Sequence, residues 1–76
     1  MKGQMELKRK YGLVHVPSHH RLEEWLRRYN LLREEGVPPE SAGLRAAKEL
    51  FPYECKERNG ADLPSAPEVA ALLAAD

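Results

Sequence analysis

The sequence predicts a mainly α domain of three to four short helices, with one short N-terminal β-strand, completed by dimerisation. Three observations lead there. Large apolar residues recur at helical period between Leu22 and Leu32; Ser18, Pro39 and Ser65 each stand where a helix would start; and only Tyr11 to Val16 is rich in β-formers.

Residues 1–10, MKGQMELKRK, are polar and show no clear period, so they are read as a mobile N-terminal arm, leaving residues 11–76 as a single small helical domain. Met1 and Met5 are equally acceptable as starts. The strand Tyr11-Gly12-Leu13-Val14-His15-Val16 is closed by Pro17, which biases Val16 toward extended geometry. A lone strand leaves its backbone donors and acceptors unmet. It is therefore expected to pair with the arm or with a second copy of the chain.

The first long helix is expected from about His19 to Glu35, with Ser18 as its N-cap and Gly36 as its stop. Leu22, Trp25, Leu26, Tyr29 and Leu32 form one apolar stripe. Glu23 with Arg27 and Glu24 with Arg28 are i,i+4 pairs in the favourable order. Val37-Pro38-Pro39-Glu40 turns the chain into a second helix, whose apolar side is expected to be Leu44, Ala47, Leu50 and Phe51 with Ala42 and Ala46 as a slim flank. Gly43 inside it costs about 1 kcal/mol relative to alanine, unless it serves a close helix approach. Pro52 ends that helix, PYECKERNG suggests a short further helical segment, and Ser65-Ala66-Pro67-Glu68 is a capping box opening a last helix to about Ala75.

Composition bounds the possibilities. Seventy-six residues with eleven leucines, five aromatics and nine alanines make a thin core. Setting about 25 cal/mol per Å² of buried apolar area against roughly 1.5 kcal/mol of ordering per residue gives a balance near zero for such a chain, which favours help from outside it. Cys55 is the only cysteine, so no internal disulfide is available; with no leader pattern at Met1, this points to a cytoplasmic protein. No segment approaches the roughly 20 apolar residues of a membrane span. Formal net charge is zero, with residues 1–36 carrying +3 (eight Lys/Arg, five Glu) and residues 37–76 carrying −3 (four against seven).

The chemistry-bearing residues are few. His15, His19 and His20 are close in sequence, but Pro17 separates His15 from the helix, and His19 and His20 point about 100° apart on it. A metal site built on them is a lesser alternative, and polar first-turn positions are the simpler reading. Cys55 stands between Glu54 and Lys56-Glu57 with no orienting base in sight, and the five glycines are too scattered for a phosphate loop. No enzyme activity, cofactor or small-molecule substrate is expected.

The order of strand, Pro17, helix, Gly36 and second helix over residues 11–51 resembles the ribbon-helix-helix DNA-binding regulators of bacteria and phages. That resemblance implies a dimer whose paired strands enter the major groove, with Val14 and Val16 toward the dimer core and Tyr11, Leu13 and His15 toward DNA. Lys8, Arg9, Lys10, Tyr11 and His15 are then the candidate nucleic-acid contacts. The chain departs from the pattern at Gly12 and Leu13, where polar readers are expected, and at Glu40, where a phosphate would dock. The leading expectation is accordingly a small accessory, inhibitory or regulatory factor of bacterial or phage type that acts by protein–protein contact, with another protein or a second copy as partner. Val69, Leu72 and Leu73 are its candidate interface.

Overall fold

The computed structural model describes residues 3–55 and 63–75, which form four helices: α1 (Gln4–Tyr11), α2 (His19–Glu34), α3 (Pro39–Leu50) and α4 (Ala66–Ala74). No strand occurs among the described residues. The mainly helical class is as expected. The N-terminal arm and the strand are not.

From Gln4 onward the expected arm is helix. Leu7 and Tyr11, four residues apart, share one face, and both are buried. Glu6 in the first turn and Lys8, Arg9 and Lys10 in the last complement the helix dipole. Gly12 ends α1 with φ 62°, a left-handed backbone that costs about 1–2 kcal/mol for residues bearing a Cβ. The amides of Gly12 and Leu13 both donate to the Lys8 carbonyl. The run expected as a strand is thereby divided: Tyr11 closes the helix, Gly12 turns, Leu13 returns to the core, and Val14 to Val16 are exposed. β-Propensity reflects a fit to a pleated, half-buried surface. Here three large side chains gain more by burial on the chain's own helices.

α2 follows the sequence reading closely. Ser18 Oγ accepts from the Arg21 amide at 3.3 Å, and Leu22, Trp25, Tyr29 and Leu32 are buried with Leu26 packed beside them. The Trp25 and Tyr29 rings stack at 5.2 Å between centroids, and the Tyr11 ring is tilted against Trp25 at 6.2 Å. The stop falls at Gly36, whose amide donates to Arg33 while that of Val37 donates to Leu32.

α3 begins at Pro39 as expected; of its expected apolar side Ala47 and Phe51 are buried, while Leu44 and Leu50 are not fully so, and the inward face is shifted toward the flank of Ala42 and Ala46. Its buried residues are Ala42, Gly43, Ala46 and Ala47, with Phe51 just past the end. The aromatic residues explain the shift. Trp25 fills the space over α3, its Nε1 donating to the Gly43 carbonyl at 3.1 Å, so only small side chains fit beneath it. A Cβ on Gly43 would collide with the Tyr11 hydroxyl and lie 2.8 Å from Ala66 Cβ. Gly43 therefore serves the close approach of α1 and α4 to α3. After Phe51, Pro52 to Glu54 form a turn in which the Glu54 and Cys55 amides donate to the Phe51 carbonyl; residues 56–60 of the expected short helix lie outside the described residues.

α4 starts as its capping box indicates, with Ser65 Oγ accepting from the Glu68 amide, and buries Ala66, Val69, Ala70 and Leu73. α2 and α3 form the main helix pair; α4 packs on both, and α1 packs on α4. One cluster of buried residues joins all four. The radius of gyration, 10.9 Å, sits slightly below the about 11.4 Å expected of a folded domain this long. The expectation of dimerisation drew on an unpaired strand. That premise is removed, because α1 supplies from within the chain the covering that a second copy was expected to provide.

Candidate functional site

The outer side of the α2–α3 pair carries two shallow depressions that meet at Glu49 and Leu50. One, of about 380 Å³, is lined by Glu24, Arg27, Arg28 and Leu31 from α2 and by Glu49 and Leu50 from α3. The other, of about 340 Å³, is lined by Arg21, Glu49, Leu50, Phe51, Pro52, Tyr53 and Glu54. Together they make a furrow from Leu31 to the turn after α3. Helical spacing creates it: Arg21, Glu24, Arg28 and Leu31 recur at three and four residues along one flank of α2.

Two bonds tie its sides together. Arg28 Nε donates to Glu49 Oε2 at 2.7 Å, and Arg21 Nη1 donates to the Leu50 carbonyl at 3.0 Å, meeting an acceptor at the end of α3. Arg28 thus pairs across helices instead of with Glu24, and the acids of α2 turn to histidine: Glu23 meets His19 at 2.8 Å and Glu24 meets His20 at 2.5 Å. Beside the furrow, Tyr53 is 98% exposed and Leu31 44% exposed. Within the chain Tyr53 therefore contributes almost no burial. Tyrosine supplies large rigid contact area and a polar tip, which is why it is enriched where proteins meet.

A second polar cluster is structural. Lys10 Nζ lies 2.7 Å from Glu40 Oε1 and donates to the Pro64 carbonyl at 2.8 Å, while Glu40 Oε2 accepts from the Ala66 amide at 2.7 Å. Glu40 thereby caps α4 from the first turn of α3 and binds α1 to both. Partial burial would raise its carboxyl, but the Lys10 hydrogen bond, the Ala66 amide and the Lys10 charge outweigh this and hold it below the usual value. The Tyr11 hydroxyl has no hydrogen-bond partner among the described residues. Burial first, then the charge of Glu40 and the neighbourhood of Cys55 and Tyr29, push it well above the usual phenol range.

The residues singled out from sequence are scattered. Val69 and Leu73 belong to the core, leaving only half-buried Leu72 of that trio toward the surface. Of the five nucleic-acid candidates, Tyr11 is buried and Lys10 is engaged by Glu40 and Pro64; Lys8 is half-buried, Arg9 and His15 are exposed. His19 and His20 face their glutamates, Cys55 packs at the edge of the core, and no group of three or more metal-ligating side chains gathers among the described residues. No helix among them is long and apolar enough to cross a membrane.

Sequence reasoning missed the furrow and the Lys10–Glu40 bridge. The signal for the furrow was Tyr53, a large side chain outside every apolar stripe. For the bridge there was none, since 30 residues separate its partners. No protein-family model, curated protein or solved structure matches this chain.

Proposed function

We propose that this chain is a small binding protein that acts through protein–protein contact as an accessory, inhibitory or regulatory factor, with the α2–α3 furrow and Tyr53 as its contact surface. The observation that carries the reading is the near-complete exposure of Tyr53 beside a furrow holding Leu31 and Leu50. Contact energy concentrates on a few aromatic and arginine side chains set near apolar surface. Arg21, Arg27 and Arg28 stand in the same place. An interface here would leave the core intact, because Tyr53 and Arg27 are both exposed and lie outside the buried cluster.

The test is a photo-activated crosslinker placed at Tyr53 in the cells that make the protein, with a second placed at Glu68, an exposed position on α4. Discrete adducts at position 53 and none at 68 are expected. Equal labelling at both, or none at 53, would remove the furrow as a contact surface.

A further inference from the structure

We infer that α1 is a detachable latch: residues 4–13 leave the core and return as one unit while α2, α3 and α4 stay assembled, and Glu40 is the catch that holds them down. None of these residues lines the furrow, so the device is separate from the binding reading. Of the eight residues of α1 only Leu7 and Tyr11 are buried; Leu13 is buried just past its end, and Met5 is half exposed. A helix this short does not persist alone in water, so α1 is helical only while docked and unfolds as it leaves. Gly12, at φ 62°, is the pivot between it and the exposed residues 14–16.

Two features weaken the docked state. Docking leaves the Tyr11 hydroxyl buried with no hydrogen-bond partner among the described residues, whereas release returns it to water. Docking also overrides local preference: Tyr11 to Val16 is rich in β-formers, yet Tyr11 is held in the last helical turn, with Val14 and Val16 exposed beyond it. Where local preference and tertiary packing disagree, a second state comes within reach. Against release stand Leu7, which is fully buried, and Lys10, which donates to the Pro64 carbonyl and pairs with Glu40 Oε1 at 2.7 Å. Glu40 Oε2 at the same time accepts from the Ala66 amide, so one carboxylate joins α1 to the start of α4. What stays behind is still a core: Trp25 keeps its stack on Tyr29 and its bond to the Gly43 carbonyl, with Leu22, Leu32 and Val69 in the same buried cluster.

Native-state amide exchange of the full chain reads this opening. The amides of Leu7, Gly12 and Leu13, bonded to the Gly3 and Lys8 carbonyls, are expected to share one opening constant, at least about tenfold larger than that of the α2 amides from Trp25 to Tyr29. Leu32→Val, a small loss of packing on α2, is expected to speed α2 exchange by about fivefold and leave α1 unchanged, since α1 opens without breaking the Leu32 contacts. Glu40→Gln is expected to speed α1 exchange by about threefold or more, and Tyr11→Phe to slow it by about as much. Protection that rises step by step along α1 denotes terminal fraying and overturns the inference. Equal opening constants for α1 and α2, or an equal response of both to Leu32→Val, overturn it too. An α1 rate indifferent to Glu40→Gln removes the catch, and the latch with it.

Discussion

Gly43→Ala sets two opposing effects against each other, and the structure decides the sign. Replacing an interior helical glycine with alanine ordinarily stabilises a helix by about 1 kcal/mol. In α3 the new methyl group would collide with the Tyr11 hydroxyl and lie 2.8 Å from Ala66 Cβ. Neither neighbour yields easily: Tyr11 is 3% exposed against Trp25, and Ala66 is fixed at the start of α4 by the bond from its amide to Glu40. Overpacking of this kind costs about 1–3 kcal/mol, and two contacts under ordinary distance put it toward the upper end. The net is a loss of about 1–2 kcal/mol, which at roughly 4–8 °C per kcal/mol lowers Tm by about 4–16 °C. Thermal melts followed by far-ultraviolet circular dichroism and by Trp25 fluorescence measure it. Tyr11→Phe sharpens the test, because it removes an oxygen that has no partner among the described residues and is expected to be neutral or stabilising alone. In that background Gly43→Ala has less to collide with, so its cost shrinks by about 1 kcal/mol. A rise in Tm for Gly43→Ala, or an equal effect in both backgrounds, refutes the packing account of α3.

Two further outcomes follow from the polar contacts. Glu40→Gln strips the charge facing Lys10, whose side chain is only 11% exposed, and should cost about 1 kcal/mol at neutral pH. Because the Glu40 carboxyl is held below its usual value of 4.5, its contribution is present above that pH and is lost as pH falls through the lowered value; wild type and variant should therefore converge in stability in acid, as denaturant melts across pH will show. Ser18→Ala removes the acceptor for the Arg21 amide and should lower stability by about 1 kcal/mol, with α2 losing amide-exchange protection first at its N-terminus. Uniform loss of protection across α2 would count against a local capping role.

The helices that could be read from sequence were those with local signals. α2 has a stripe, a serine cap and a glycine stop within 19 residues, and α4 has a capping box; both formed almost where expected. α1 also had local signals: Leu7 and Tyr11 at i,i+4, basic residues in the last turn and Gly12 behind them. They were outweighed by the β-formers of Tyr11 to Val16, a pattern that weighs propensity without knowing what surface is available to bury on. The furrow was legible only as an unassigned Tyr53.

Composition and periodicity alone determined a small, mainly helical chain with α2 at its centre, because cap, stripe and stop act within one element. Only tertiary structure decided the rest: that residues 4–11 are helix, that α3 turns its alanines and Gly43 inward, that Glu40 reaches α4, and that Arg28 leaves Glu24 for Glu49. Each depends on which distant surface is near enough to exclude water or complete a hydrogen bond. That proximity is set by how Trp25 and Tyr11 fill the space between helices.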